Sequence, residues 1–257
     1  MSQPHLTILT GASRGMGLAM ARQLLQGGHT VVCIARSANP ELADVAQAAG
    51  ATLHQWQQDL SQGAQAAAQL QDWLQAQGPE AFASATLINN AGVIPRIAPL
   101  SASAHPNDLA DLAHALRVGL EAPMQLTAAF LGATDAWTVP RKVLNISSGL
   151  GRRAMASQAA YCAAKAGMDH FTRCVALDEA LKPHGAKVCS LAPGVIDTDM
   201  QVQLRGADAA AFPDRQNFAN LKAGGQLTSP QDAATRVLAW LDRADFGTNP
   251  VADVRDA

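Results

Sequence analysis

TGASRGMG, at Thr10–Gly17, is the stretch of sequence that decides the fold of this 257-residue chain. The apolar segment Leu6–Thr10 before it is typical of a short strand, and Met16–Leu25 after it is typical of a helix. Small residues in such a turn let the backbone approach a pyrophosphate at the N-terminus of the helix. The stretch therefore predicts a dinucleotide-binding turn, because its glycines lie between a strand and a helix.

Strand patterns and helix patterns alternate from this turn to the C-terminus. The predicted strands are Leu6–Thr10, Thr30–Ala35, Ala51–Gln57, Thr86–Asn89, Lys142–Ser147, Lys187–Leu191 and Val251–Val254. The predicted helices are Met16–Leu25, Asn39–Gly50, Ser61–Gln77, Leu109–Leu131 with a break or kink at Pro123, Ser157–Leu181 and Ser229–Leu241. This alternation predicts the α/β class, as one doubly wound Rossmann domain over residues 1–257 with a parallel sheet and helices on both faces.

Residues 198–228 are the exception to the alternation. They contain few regular patterns and many Gly, Asp and Asn residues. A segment of this length without strong structure is often a mobile lid over a site. An ordinary loop with a short helix is the other interpretation that the sequence allows.

Composition excludes several classes of function. The net charge of −2 does not fit a nucleic-acid-binding protein or a basic membrane-surface protein, and no apolar run approaches a membrane span. The four cysteines have no zinc spacing, so we expect no metal and buried free thiols of a reducing compartment. No leader peptide is visible in Met1–His5, and the expected location is the cytoplasm.

The end of the second predicted strand indicates which dinucleotide binds. Folds that prefer NAD usually place a carboxylate there for the ribose 2′-hydroxyl, whereas this chain has Ala35 followed by Arg36 and Ser37. A guanidinium can bind a 2′-phosphate through two hydrogen bonds, and Arg14 in the glycine turn could hold the same phosphate. We therefore expect NADP(H) rather than NAD(H), although a lone surface arginine is often only solvated.

Tyr161 and Lys165 form the second chemical signal. Residues four apart share one face of a helix, so the phenol and the ammonium point the same way. A nearby positive charge stabilises the phenolate, so the pKa of Tyr161, the only tyrosine in the chain, is expected below its ordinary value. Such a pair can exchange a proton with a carbonyl or alcohol oxygen. Ser147 and Ser148 end a predicted strand, where a hydroxyl could bind the same oxygen.

Together these residues resemble the short-chain dehydrogenase/reductase family over nearly the whole chain. The matching elements are Thr10–Gly17, Asp59, Asn89–Gly92, Ser148, Tyr161, Lys165 and Pro193–Thr198. The resemblance implies about seven strands in the order 3-2-1-4-5-6-7, with residues 198–228 as the substrate lid. It implies that Tyr161 is the catalytic acid and base, that Lys165 holds the nicotinamide ribose, and that Ser148 binds the substrate oxygen.

The resemblance also implies a set of cofactor-binding residues. Asp59 and Leu60 would meet the adenine, while Ile196 and Thr198 would contact the carboxamide and phosphates. The full set predicted to bind the cofactor is Gly11, Ser13, Arg14, Gly15, Met16, Gly17, Arg36, Ser37, Asp59, Leu60, Asn90, Ala91, Gly92, Tyr161, Lys165, Pro193, Gly194, Ile196 and Thr198.

One position departs from the family pattern. Many members carry Asn in a V-N-L triplet, where its amide holds a water of the proton relay behind the lysine. This chain has Val118-Gly119-Leu120, and Gly119 has no amide side chain. Our hypothesis is that an additional water or a shifted neighbour completes the relay. A slow or inactive protein, which binds NADP(H) as a scaffold or sensor, is the alternative.

The C-terminal sequence bears on the substrate. It lacks the Gly-Gly stretch of acyl-carrier-protein reductases and looks more like the tail of sepiapterin and benzil reductases, which act on vicinal dicarbonyls. The resemblance to these members implies a ketone or α-diketone substrate, with Ser148, Tyr161 and Asp253 as substrate-binding residues. An exposed edge-strand Asp is the other interpretation of Asp253. A 3-oxoacyl-thioester reductase is the alternative enzyme.

Association is a further implication of the resemblance. Family members form dimers or tetramers through two helices beside the site, here about 109–131 and 157–181. Small residues such as Ala159 and Gly167 permit close helix contact, and they equally permit packing on the sheet. The expected state is therefore a homodimer or a homotetramer that takes a small-molecule carbonyl substrate.

Overall fold

The computed structural model describes residues 3–256 and contains one parallel seven-stranded sheet in the order β3-β2-β1-β4-β5-β6-β7. This order and the all-parallel pairing confirm the predicted fold class. The strands are β1 at His5–Thr10, β2 at His29–Ala35, β3 at Thr52–Gln57, β4 at Ser84–Asn89, β5 at Arg141–Ile146, β6 at Lys187–Ala192 and β7 at Val251–Asp253.

Helices follow the strands and cover the sheet. They are α1 at Gly15–Leu24, α2 at Glu41–Ala49, α3 at Gly63–Gln77, α4 at Pro106–Leu116, α5 at Ala122–Ala133, α6 at Ala159–Ala180, α7 at Asp199–Gly206, α8 at Arg215–Ala223 and α9 at Pro230–Leu241. The Ser229 hydroxyl caps α9 by accepting a hydrogen bond from the Asp232 N–H at 3.0 Å, as the Ser-Pro start predicts. Within residues 3–256, no helix has the length and apolar character of a membrane span.

The core lies on both faces of the sheet. Side chains alternate along a strand, so neighbouring residues of β1 enter different cores. Leu9 packs with α1, α2 and α9 on one face, whereas Ile8 packs with α3 and α5 on the other. Because both faces are covered, the strands can be apolar throughout, as the TVVCIA run of β2 is.

The order of the strands in the sheet reverses at β1, which pairs in parallel with β2 on one side and β4 on the other. The loops after β1 and β4 diverge at this switch point and leave a crevice beyond the carboxyl ends of the strands. The glycine turn follows β1 directly, so the fold places it at the mouth of that crevice.

Three expectations about local structure need correction. The predicted break or kink at Pro123 lies slightly earlier in the chain, because a π-helical turn at Arg117–Glu121 joins α4 to α5 and Pro123 occupies the first turn of α5. Residues 198–228 contain the helices α7 and α8, although the sequence indicates few regular patterns there. The Cys174 thiol is exposed on α6, whereas those of Cys33 and Cys189 are buried, which raises the pKa of each buried thiol to about 12.

Candidate active site

The carboxyl ends of the strands surround a cavity of about 1080 Å³. Its walls come from the glycine turn, the loops after β2 to β7, the first turns of α6 and the segment 198–228. All the predicted site residues line this cavity except Ser37, which is exposed outside it and whose role in cofactor binding stays a prediction. Within residues 3–256, no cluster of His, Cys, Asp and Glu could hold a metal ion.

The glycine turn has no space for larger side chains. Gly11 and Gly15 have φ values of +69° and +55°, which disfavour any residue with a Cβ. A Cβ on Gly17 would lie only 2.1 Å from the carbonyl oxygen of Gly11, so the turn is folded directly against the start of α1. Arg14 precedes α1 and makes no side-chain cap. The N–H groups of the first turn are therefore available to a phosphate, and the turn fits a dinucleotide.

Thr10 and Asn90 tie the two loops of the crevice together. The Thr10 hydroxyl accepts hydrogen bonds from the backbone N–H groups of Asn90, at 2.9 Å, and Ala91, at 3.0 Å. The Asn90 side-chain amide donates in return to the Thr10 carbonyl at 2.9 Å. These contacts fix the spacing between the ends of β1 and β4, where the nucleotide would lie.

Charged side chains surround the far end of the glycine turn. Arg36 lines the cavity after β2, and Asp59 lines it after β3. The Ser61 N–H is the main cause of a lowered pKa for Asp59, and the charges of His114 and Arg36 contribute. Arg14 instead forms an exposed ion pair with Asp199 of α7 at 3.1 Å. Binding of a 2′-phosphate by Arg14 would compete with this ion pair, and it stays a prediction.

Ser148, Tyr161 and Lys165 line the same cavity from two elements. Ser148 lies just after β5, and its hydroxyl accepts a hydrogen bond from the Leu150 N–H at 3.1 Å. Tyr161 and Lys165 lie in the first two turns of α6, with Lys165 Nζ 5.8 Å from the centre of the Tyr161 ring. Lys165 is 4% exposed, and its Nζ donates to the Ile146 carbonyl at 2.7 Å. The structure thus brings together the hydroxyl, phenol and ammonium that the sequence predicts.

Burial changes the pKa of both groups on α6. It raises the pKa of Tyr161, while the Ser148 hydroxyl acts in the opposite direction. The expected lowering is therefore wrong for the protein chain alone, because loss of water disfavours the phenolate more than its neighbours favour it. Burial lowers the pKa of Lys165 to about 8, against the opposing charge of Asp169. The ammonium can consequently gain or lose its proton near neutral pH.

Buried polar side chains form hydrogen bonds next to the part of the cavity wall that carries Ser148, Tyr161 and Lys165. Asp169 Oδ1 accepts hydrogen bonds from the hydroxyls of Ser147, at 2.5 Å, and Ser190, at 2.6 Å. These bonds join α6 to the carboxyl ends of β5 and β6. The Asn89 amide, which donates to Asn145 Oδ1 at 2.9 Å, likewise joins β4 to β5. The Ser147 hydroxyl is thus bonded to Asp169, whereas the Ser148 hydroxyl accepts from the Leu150 N–H and acts on the Tyr161 phenol.

Gly119 lies in the π-helical turn and is buried against α6. A Cβ at this position would lie 3.2 Å from the Cβ of Ala164, which is tighter than ordinary contact. The glycine therefore lets the π-helical turn approach the helix that carries Tyr161 and Lys165. Our hypothesis of an additional water in the proton relay stays a prediction.

Asp253 lines the cavity from β7 and is 5% exposed. Both its carboxylate oxygens already bind the Arg255 guanidinium, at 2.8 and 2.6 Å, and this pairing lowers the pKa of the carboxyl. Arg152 approaches the same carboxylate at 4.0 Å. A substrate anchored by Asp253 would have to displace or share these arginines, so the anchoring role stays a prediction.

The ends of the segment 198–228 are held together. Ile196 and Thr228 form a parallel β-bridge, and the Asp197 N–H donates to the Thr228 carbonyl at 2.9 Å. Between these ends, α7 and α8 lie over the cavity and contribute Gln201 and Phe218 to its wall. The segment is therefore anchored at its base and closes one side of the cavity.

Several residues that line the cavity are absent from the sequence-based set. They include His114, Arg152, Met155, Gln158, Gln201 and Phe218. The sequence could have indicated Gln158 as a site residue, because it stands three residues before Tyr161 at the start of the same predicted helix. The others come from loops and from distant helices, and no local pattern marks them.

The family pattern described as short chain dehydrogenase matches residues 5–209. This range covers the glycine turn, most of the sheet and the residues Ser148, Tyr161 and Lys165. The chain belongs to the short-chain dehydrogenase/reductase family. As a member of that family it is an oxidoreductase that acts on CH–OH groups with a nicotinamide dinucleotide, and its carbonyl reductase character follows from its relatives.

Three relatives in the short-chain dehydrogenase/reductase family are similar over nearly the whole chain. A benzil reductase ((S)-benzoin forming) from Bacillus cereus is 34% identical over 93% of this chain and 94% of its own. A sepiapterin reductase from Meriones unguiculatus is 30% identical over 97% of this chain and 95% of its own. The crystal structure of a short-chain dehydrogenase/reductase from Burkholderia vietnamiensis is 33% identical, covers 100% of this chain and 99% of its own, and has a TM-score of 0.65.

Proposed function

We propose that this protein is an NADPH-dependent carbonyl reductase whose substrates are vicinal dicarbonyls. The observation that carries the proposal is the single cavity that holds the glycine turn at one end and Ser148, Tyr161 and Lys165 at the other. Benzil reductase and sepiapterin reductase are the names of its relatives, and the dicarbonyl class is taken from that likeness.

The protein's own residues would bind, orient and protonate the carbonyl oxygen. The Tyr161 phenol is kept neutral by burial, so it is a proton donor for the alkoxide that develops there. Ser148 lies on the same wall and offers a second hydroxyl to the oxygen. Lys165 holds its positive charge beside the Tyr161 ring and favours proton release from the phenol. The nicotinamide, when bound, supplies the hydride.

The preference for NADPH rests on Arg36 and on the missing carboxylate after β2. Arg36 lines the cavity and has no ion-pair partner among residues 3–256. A free guanidinium at this place can bind a 2′-phosphate through charge-assisted hydrogen bonds.

We further propose that residues 1–257 form one domain with the segment 198–228 as its lid, and that the protein works in the cytoplasm as a homodimer or homotetramer.

Oxidation of NADPH in the presence of a panel of α-diketones, monoketones and 3-oxoacyl thioesters tests the proposal. We expect turnover with the α-diketones and a higher kcat/KM for them than for the other classes. Binding of NADPH without oxidation across the panel would replace the proposal with a scaffold or sensor, for which Gly119 is the only support. A preference for the thioesters would replace it with a 3-oxoacyl-thioester reductase.

Substitution of Arg36 tests the cofactor preference separately. In Arg36→Ala we expect the ratio of kcat/KM for NADPH to that for NADH to fall by about tenfold or more, because a charge-assisted hydrogen bond contributes about 1.5–3 kcal/mol. Arg173→Ala, which removes an exposed arginine from the far part of α6, is the matched control and should keep the wild-type ratio. An unchanged ratio in Arg36→Ala would assign the preference to other residues.

A further inference from the structure

Gln158 is a buried polar residue that the mechanism above does not use. It immediately precedes α6, is 1% exposed and lines the cavity. Neither Nε2 nor Oε1 of its amide has a hydrogen-bond partner among residues 3–256. A buried amide without partners costs about 1–3 kcal/mol, so a group that satisfies it would bind with that advantage.

Other buried polar groups differ from Gln158 in this respect. Within the described part of the chain, it is the one side chain with a donor and an acceptor that are both buried and both without partners. Gln125 also has an orphaned Oε1, but its Nε2 donates to Glu121 Oε1 at 3.0 Å and it lies outside the cavity. The Gln158 amide therefore lacks the structural partner that would explain a polar residue at this position.

The backbone around Gln158 is held firmly. Its carbonyl accepts the first hydrogen bond of α6, from the Cys162 N–H at 2.8 Å. The preceding Ser157 has a φ of +62°, a left-handed conformation that is uncommon for a residue other than glycine. The Ser157 hydroxyl donates to the Ala211 carbonyl at 2.5 Å and so joins this turn to the segment 198–228. Strain that the surrounding structure maintains is typical of functional sites.

The position of Gln158 relative to Tyr161 determines which group of a substrate its amide can contact. Gln158 is the N-cap residue of α6 and stands three residues before Tyr161, which lies in the first turn of that helix. Both residues line the same cavity, and Tyr161 is assigned to the carbonyl oxygen that is reduced. A side chain that lines the cavity three residues before Tyr161 is then placed to reach a group on the adjacent carbon of the same substrate. The adjacent group of a vicinal dicarbonyl is a second carbonyl oxygen, which accepts hydrogen bonds.

We propose that the Gln158 amide binds the second oxygen of a vicinal dicarbonyl and thereby selects dicarbonyls over monoketones. Nε2 donates to this oxygen, and Oε1 is free for an N–H or O–H group on substrates that carry one. Gln158 is thus a specificity-determining residue, and the inference rests on the proposed function. A monoketone leaves this buried amide unpaired, which is the arrangement that gives strong discrimination.

Two substrates that differ in one carbonyl group test this role. Benzil has two adjacent carbonyls, and deoxybenzoin has the same two phenyl rings with one carbonyl. The quantity to measure is the ratio of kcat/KM for benzil to that for deoxybenzoin, with NADPH as the cofactor. We expect Gln158→Met, which keeps the length and removes the amide, to lower this ratio by about five- to tenfold. Gln158→Glu should lower it as well, because a carboxylate cannot donate to the carbonyl oxygen.

The control variant is Gln125→Met, which removes a comparable amide from outside the cavity and should keep the wild-type ratio. If Gln158→Met and Gln158→Glu lose activity equally toward both substrates, or keep the wild-type ratio, the selective role is overturned and Gln158 is a packing residue. These outcomes leave the proposed function intact. Wild-type protein that fails to oxidise NADPH with benzil, or that prefers deoxybenzoin, would instead overturn the dicarbonyl proposal and this inference with it.

Discussion

The two ends of the cavity are constructed differently. The cofactor end is built around a run of eight consecutive residues, Thr10–Gly17, and the shape of this turn depends on backbone approach at Gly11 and Gly17. The substrate end combines side chains from distant segments, as the hydrogen bond from Arg152 to the Ala252 carbonyl across 100 positions illustrates. The first end requires small residues at fixed spacing, and the second requires particular side chains brought together by the fold.

This division predicts different effects of substitution at the two ends. Changes in the glycine turn should alter NADPH binding for every carbonyl substrate alike. Changes at the substrate end should alter the choice among carbonyls at constant NADPH affinity. The following predictions proceed from the largest expected effect to the smallest, and each can contradict or refine the division.

The largest effect is expected at Tyr161, where the two ends meet. Tyr161→Phe removes the proposed proton donor and should lower kcat by about 10²–10⁴-fold, the usual contribution of general acid catalysis. NADPH affinity, measured by quenching of tryptophan fluorescence, should stay close to wild type because the ring is kept. A kcat near the wild-type value would exclude Tyr161 as the acid and would move the chemistry to another group in the cavity.

The cofactor end is tested by Gly17→Ala. Its Cβ would lie 2.1 Å from the Gly11 carbonyl oxygen, so the turn must move and NADPH affinity should fall by about tenfold or more. The same overpacking should lower the free energy of unfolding by about 1–3 kcal/mol. Gly132→Ala is the matched control, since its added Cβ meets no atom of the described residues 3–256 within 4 Å. If Gly17→Ala instead changed the ratio between carbonyl substrates, the proposed division would be wrong.

The pH dependence of NADPH binding tests the role of Lys165. Burial lowers the pKa of this side chain to about 8. The ammonium that would hold the ribose is present below that pH and is lost above it. NADPH affinity should therefore fall by about tenfold from pH 7 to pH 9, one protonation step being linked to binding. Lys165→Met should bind more weakly and lack this step, and a flat wild-type profile over the same range would contradict the assignment.

The smallest effect on turnover is expected at Gly119. If an additional water completes the proton relay, Gly119→Asn should have a kcat close to that of the wild type. Gly119→Ala is the control for the Cβ, which would lie 3.2 Å from the Cβ of Ala164 in either variant. An inactive wild type that Gly119→Asn, but not Gly119→Ala, restores to activity would overturn the water hypothesis and favour the scaffold.

The fold and the cofactor end were largely predictable because their signals are local. Strand and helix periods are read within a few residues, and the alternation of elements defines the sheet order once the family is recognised. The helices α7 and α8 were missed because their residues are mostly polar and few are buried, so the apolar period is weak. The interruption predicted at Pro123 lies instead in the π-helical turn before it, where Gly119 approaches Ala164 of α6, a contact between segments far apart in sequence.

The sequence by itself determined the class of fold, the glycine turn and the Ser148, Tyr161 and Lys165 set, because each depends on residue type at a fixed spacing along the chain. Only the tertiary structure decided that burial raises the pKa of Tyr161, that Arg255 already holds Asp253, and that the Gln158 amide has no partner within residues 3–256. Burial and hydrogen bonding arise from segments far apart in sequence. Their energies therefore exist only once the chain has folded.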